Sequence, residues 1–336
     1  MTTKQEILDS LEGQYKGDMA PPAIFTQTGT KGQMEASGYS WPDAFYDIDK
    51  MIELALQPSK LFGFPTVRIP FDITYEAERL GCTISKGTKE SQPAVTGSPW
   101  ASEEIPEPPE DLMSIDEFLS GGRVAMHIEA ARRIAKEHPE LFLTTNMDGP
   151  QSVAAYMVGM ENFIMGLFMA PDTCEKWVQK VAPYQYALGR VLSEAADNVM
   201  VIVEAAEELI PGDCLDQFVM PYEKELFSNF KESFSLAHTC GMVDNVMERL
   251  TEFGATVLSV ESYGEPQNIM DRVGDKVLLA GGVDPIATLL QGTPESIVAA
   301  AKKADAAGYS IIMPECGVPP QTSNANLEAL AKYREL

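Results

Sequence analysis

Three residues stand out for the chemistry their side chains could do together. His238 and Cys240 lie in SFSLAHTCGMVDN, and Cys316 lies in GYSIIMPECGVPPQTS. In both stretches an apolar run that reads as a strand stops at a soft metal ligand, and a glycine follows at once. Imidazole nitrogen and thiolate sulfur suit Zn²⁺, and three protein ligands leave a fourth position open for a reactant. In an extended or turning segment, residues i and i+2 can both reach one ion, so His238 and Cys240 make half a site and the fold must deliver Cys316. An open His/Cys/Cys zinc site points to an enzyme that activates something, foremost a thiol. Cys82, Cys174 and Cys214 read instead as packing residues. His127 and His138, on a helix of mixed character, read as surface or capping residues.

The elements that must position these ligands follow a rhythm. Eight apolar, β-branched runs recur: AIFTQ (23–27), TVRIPF (66–71), LFLTTN (141–146), VMVIVE (199–204), FSLAH (234–238), TVLSVE (256–261), VLLAGG (277–282) and YSIIMP (309–314). Amphipathic helices alternate with them, over 124–138, 175–197, 242–253 and 294–308. This is the pattern of an α/β protein with a (β/α)₈ TIM barrel, a doubly wound sheet being the main alternative. In a barrel the C-terminal strand ends share the face that carries the chemistry. Gln27, Asn146, Glu204, His238, Glu261 and Cys316 each fall at or just after such an end. Glu261 reads either as a carboxylate that caps or pairs, or as an oxygen ligand at the fourth zinc position. Glu204, Glu207 and Glu208 read as an acidic helix start, with Glu204 the one placed to face the site. Asp72 and Asp148 are similar strand-end acids. The stretch 83–123, with ESQPAVTGSPWASEEIPEPPEDL, breaks the rhythm and reads as an insertion over the barrel. The whole chain, 1–336, reads as one barrel domain with an N-terminal helical extension.

Composition narrows the partners. The formal charge is −25, from 50 acidic and 25 basic residues, which argues against nucleic acid. No apolar run approaches the ~20 residues of a membrane span, and the polar N-terminus reads as no signal peptide. Five cysteines, an odd count, argue against a disulfide framework and for a reducing cytoplasm. GTKGQ (29–33) and LAGGVDP (279–285) lack the P-loop spacing, and no dinucleotide fingerprint follows the first strand.

HTCG (238–241), SVE (259–261), GGVDP (281–285), PECGVPPQTSNANLEAL (314–330), FTQTGTKGQMEASGYSWPDA near the N-terminus and GTKESQPAVTGSP (87–99) together carry a likeness. The chain resembles the uroporphyrinogen-decarboxylase-like methyltransferases, and most of all the methylcobamide:coenzyme M methyltransferases of methanogenic archaea. The resemblance implies a (β/α)₈ barrel in which Zn²⁺ activates the coenzyme's thiol for methanogenic one-carbon metabolism. It also implies a separate corrinoid protein that brings the methyl group as methylcobalamin. By position, His238, Cys240 and Cys316 match the family's zinc ligands, and Glu261 matches a fourth ligand that the substrate displaces. The decarboxylase itself fits poorly: its porphyrinogen carboxylates need fixed cations, whereas the first arginine here is Arg68. Two departures, Glu315 before the second cysteine and Val203-Glu204-Ala205 after the fourth strand, put charge near the active face.

A methyl-donor component that passes a methyl from an ether or amine to Co(I) stays open beside thiol methylation, as does a pterin acceptor. So does a non-catalytic zinc-binding barrel that partners a corrinoid protein. The corrinoid is too large to enter a barrel and would cover its C-terminal mouth, with 83–123 a docking surface.

Overall fold

The computed structural model describes residues 2–206 and 209–336. Its centre is a curled parallel sheet of seven strands: β1 (Thr66–Ile69), β4 (Phe142–Asp148), β5 (Asn198–Ile202), β6 (Phe234–Thr239), β7 (Val257–Val260), β8 (Leu278–Val283) and β9 (Ile311–Pro314), in that order. Each is buried on both faces, as parallel strands under covering helices must be, and so each reads as an apolar run.

The eighth expected strand, 23–27, is a correction. It forms no ladder. Pro22 makes one parallel bridge to Ile312, and Ala23 N–H donates to the Ile312 carbonyl at 3.0 Å. On its other side Ile24 N–H donates to Thr66 Oγ1 at 3.2 Å. The segment thus fills the gap between β9 and β1 without becoming a strand, because consecutive Pro21 and Pro22 bring no amide hydrogens to a ladder. β1 stops two residues earlier than expected for the same reason: Pro70 has no N–H to give.

Alternation sorts the barrel's two surfaces. Phe25, Phe142, Met200, Leu236, Val257, Ala280, Ile311 and Met313 form one buried apolar cluster inside, joined by Ile7 and Leu11. Those two belong to the helix Lys4–Leu11, which starts in a capping box between Thr3 and Glu6. Lys4 Nζ reaches Asp197, the residue before β5, at 2.8 Å. The N-terminal helix therefore stoppers the end where the strands begin, and the opposite mouth is left for chemistry.

Helices Gly122–Glu137, Pro171–Ser193 and Pro294–Ala307 lie close to the expected spans. The helix expected over 242–253 is shorter, an α-turn at Met247–Leu250 and a 3₁₀ turn at Thr251–Phe253. The chain spends the intervening residues leaving the Cys240 corner, where Gly241 has a left-handed φ of 79°. In the stretch 83–123, β2 (Thr83–Ile84) and β3 (Val95–Gly97) make a small antiparallel hairpin. The residues after it are strapped along helix Pro171–Ser193: Trp177 Nε1 donates to the Pro106 carbonyl at 2.7 Å, and Lys176 pairs with Glu107 at 2.8 Å. Among the described residues no single helix is long and apolar enough to cross a membrane.

Candidate metal centre

His238 is the second-last residue of β6, and its side chain turns inward because Ala237 packs outward. Cys240 follows the strand, and Cys316 lies two residues beyond β9. The curl of the sheet brings them together across 76 residues of sequence: Cys240 Sγ is 3.1 Å from Cys316 Sγ and 3.1 Å from His238 Nε2. Each of the three offers one ligand atom within 4.8 Å of the others, close enough for one ion to touch all three. His238 is buried, whereas Cys240 is exposed at the mouth.

The donor set fits zinc. His238 Nδ1 lies 3.2 Å from Ser259 Oγ on the neighbouring β7. With the proton on Nδ1, the ring donates to Ser259 and aims the Nε2 lone pair at the two sulfurs, the usual way a ligand imidazole is oriented. The hydrogen bond from Cys240, helped by His238, pushes the Cys316 thiol down to about 4. Cys240 is pushed up in turn, first because it holds the shared proton against Cys316. The two sulfurs thus share a proton, which a bound cation would displace.

Glu261 follows β7 and is half-buried. Its Oε1 accepts from Gly241 N–H at 3.2 Å, which places the carboxylate beside the Cys240 turn. Gln27 sits against the other ligand turn. Its carbonyl accepts from Val318 N–H at 2.8 Å, and its amide oxygen lies where a Cβ at Gly317 would stand, so a larger residue after Cys316 would push the Gln27 side chain aside. Gln92 of the hairpin donates to Gln27 Oε1, which ties the hairpin to the mouth. Glu204 is half-buried, and its charge reaches both Cys240 and Asp148. Glu207 and Glu208 lie outside the described residues.

Asn146 is placed elsewhere. It is buried, its Nδ2 donates to the Asp72 carbonyl at 3.2 Å, and its own carbonyl accepts from Tyr75 Oη at 2.7 Å. It braces the β1–β4 side of the mouth and does not join the three donors. Asp72 is taken up by Arg123 at 2.7 Å, and Asp148 is buried under its own helix with both oxygens unpartnered. Glu315 turns back into the protein, where Ser262 Oγ donates to it and burial pushes its carboxyl up to about 7. His127 is a correction: it is buried edge-on to Tyr75, ring centroids 4.4 Å apart, and burial pushes it down to about 3. A helix packed against the sheet hides its inner face whatever residue stands there. Ser259 was not singled out from sequence, though its place on β7 two residues after the inward-facing Val257 gives it the same facing.

Residues 2–335 match the model of the uroporphyrinogen decarboxylase (URO-D) family. The chain belongs to that family. Within it the chain is a methyltransferase: it is 32% identical to the methylcobamide:CoM methyltransferase MtbA of Methanosarcina mazei, over 98% of this chain and 97% of that protein. It is 29% identical to the methylcobamide:CoM methyltransferase MtaA of Methanosarcina barkeri, over 99% and 98%. The solved structure of a methyltransferase from Methanosarcina mazei superposes with a TM-score of 0.92 at 29% identity, covering 100% of this chain and 99% of that one.

Proposed function

We propose that this chain moves a methyl group from a methylated corrinoid, carried on a separate protein, to a small thiol, with coenzyme M as the leading acceptor. The observation that carries the reading is the cluster of His238, Cys240 and Cys316 at an open mouth. The relatives' names supply the methyl donor and the thiol. His238, Cys240 and Cys316 would hold Zn²⁺, which favours the thiolate form of a thiol at neutral pH and so makes it a nucleophile. Glu261, held beside Cys240 through Gly241 N–H, is the fourth ligand that the thiol displaces. One neutral imidazole and two thiolates cancel the ion's charge. Exchanging a carboxylate for a thiolate then leaves the site at −1 throughout, so the swap costs little electrostatically.

The ion's neighbours divide the remaining work. Ser259 fixes the imidazole. The Gln27 side chain and the hairpin tip at Gln92 form one wall of the mouth, and the corrinoid protein docks over that wall. The strap that follows the hairpin is already spent on helix Pro171–Ser193. One observation keeps the methyl-donor reading alive: the charge of Glu204 reaches Cys240, where it could serve a leaving oxygen or nitrogen.

The test mixes the zinc-loaded protein with methylcobalamin and coenzyme M, homocysteine or a pterin, and follows loss of the methyl–cobalt absorbance. X-ray absorption should count two sulfur ligands at rest and three with the thiol bound, with close to one proton released per site. A count that stays at two under saturating thiol, while methyl transfer proceeds, replaces thiol activation by the methyl-donor reading.

A further inference from the structure

Glu315 stands directly before Cys316, and Ser262 directly after Glu261. The two are joined. Ser262 Oγ donates to Glu315 Oε1, and both residues are buried. Backbone N–H groups of Ser262 and Gly282 also stabilise the carboxylate. Glu315 N–H donates to the Val283 carbonyl at 3.0 Å, so its backbone still runs with β8. Its side chain lies against Gly281, with Cγ 3.4 Å from where a Cβ would stand, and reaches past β8 to the turn that follows β7. A carboxylate from the β9 end thus fastens the β7 end, with β8 between them.

The fastened turn is strained. Tyr263 has a left-handed φ of 49°, and among the described residues it is the one non-glycine there. A tyrosine keeps that conformation only where its surroundings over-determine it. The turn is anchored at both ends: Glu315 holds Ser262, while Lys303 Nζ donates to the Gly264 carbonyl at 2.6 Å and pairs with Glu265 at 3.1 Å. Glu261 leads into this turn, and its Oε1 accepts from Gly241 N–H at 3.2 Å beside Cys240. Its backbone is therefore held while its side chain can swing. A carboxylate on a pinned backbone gives up less freedom when it coordinates than one on a loose turn, and so it competes better for a ligand position.

We propose that Glu315, through Ser262, is a positioning residue that keeps Glu261 poised at the fourth metal position and so sets how hard Glu261 competes with an incoming thiol. The proposal rests on the reading of Glu261 as fourth ligand above. It gives a part to the residue before Cys316, which that reading leaves without one.

The experiment titrates coenzyme M into the zinc-loaded protein by calorimetry. It compares wild type with Ser262→Ala, Glu315→Gln, Glu261→Gln and the double variant Ser262→Ala/Glu261→Gln. Zinc content and thermal unfolding are measured on each. Ser262→Ala should bind the thiol about three- to tenfold more tightly than wild type, the scale of one lost hydrogen bond, with zinc content unchanged. Glu315→Gln cannot accept from Ser262 Oγ and both backbone amides as the carboxylate does, so its Kd should shift the same way. It carries the test if Ser262→Ala does not fold. Glu261→Gln should bind at least as tightly as either. Adding Ser262→Ala to it should change nothing more, because the clamp acts only through Glu261. A structural role alone would lower the unfolding temperature and leave Kd where it was. An unchanged or weaker Kd in folded, zinc-loaded Ser262→Ala, with Glu261→Gln tighter than wild type, overturns the clamp and leaves the fourth-ligand reading standing. So does an equal shift from Ser262→Ala in the Glu261→Gln background. An unchanged Kd in Glu261→Gln removes the fourth-ligand reading itself, and the clamp falls with it.

Discussion

The two sides of the barrel mouth treat ionisable groups in opposite ways. Over β6, β7 and β9, His238, Cys240 and Cys316 converge, with Glu261 held beside the Cys240 turn, Cys240 exposed and the Cys316 thiol pushed down to about 4 by its neighbours. Over β1, β4 and the helix Met220–Ser228, Glu76, Asp148 and Glu223 are each at most 1% exposed. Burial pushes Glu76 and Glu223 up to about 8 and raises Asp148 as well. One side is arranged to give up protons and take a cation. The other holds three carboxyls whose burial favours the protonated, neutral form. The difference lies in cover: Asp148 and Glu223 are sealed by helix Pro150–Val158, which begins right after β4, whereas β6 and β9 run into glycine turns that leave Cys240 exposed and Cys316 half-buried.

The comparison breaks most sharply at the ligands. His238→Ala, Cys240→Ala and Cys316→Ala should each drop zinc from about one per chain to a small fraction, and methyl transfer should fall by orders of magnitude. Cys82→Ala and Cys174→Ala, in the buried core, should leave metal content unchanged. Elemental analysis of the purified variants decides it, and full occupancy in Cys316→Ala would remove it from the ligand set.

Ser259→Ala sharpens the same side. Losing the partner of His238 Nδ1 frees the ring to rotate, and such second-sphere losses cost about 10- to 100-fold in metal affinity. Competition with a chelator measures this; an affinity within twofold of wild type would mean that Ser259 does not orient the ring. Glu261→Gln should cost less, since three ligands remain, and its mark should be a changed oxygen or nitrogen count in the resting state. Unaltered absorption spectra there would take Glu261 out of the coordination sphere.

How much of this was legible follows the same division. His238, Cys240 and Cys316 could be read because rare soft ligands stood at the ends of apolar runs, a local signal that survives without knowing the fold. The barrel could be read from alternation, but the stave at 22–25 could not be told from a strand, since its apolar run matches and only its hydrogen bonding differs. The strand-end position of Asn146 is legible, but its bonds to Tyr75 and Asp72 are not, because those residues lie more than 70 positions away in sequence. A buried acid is legible only where a local signal marks it. Glu76 and Glu223 left none, because an acid on an amphipathic helix looks the same whether its face is covered or wet.

The smallest effect tests the buried-acid side, and its sign is fixed by linkage. Glu223 keeps its proton in the folded protein up to about pH 8, whereas an unfolded glutamate loses it near pH 4.3. Between those values the native state binds more protons than the unfolded state, so this carboxyl makes stability fall as pH rises through the window, with no further loss above it. Glu223→Gln keeps the shape and never ionises. The stability of the variant relative to wild type should therefore climb from pH 5 to about pH 8 and then level off, by a total on the order of 4 kcal/mol, about three pH units at 1.36 kcal/mol each. Zinc binding has the opposite pH dependence, but it is common to both proteins and cancels in the difference. Activity at pH 7 should change little, because Glu223 lies beneath Gly149 and away from the three donors. Denaturant unfolding at four pH values suffices. A difference that stays flat from pH 5 to 9 would mean that Glu223 is ionised in the folded protein, and the two sides of the mouth would then no longer differ in the way their burial implies.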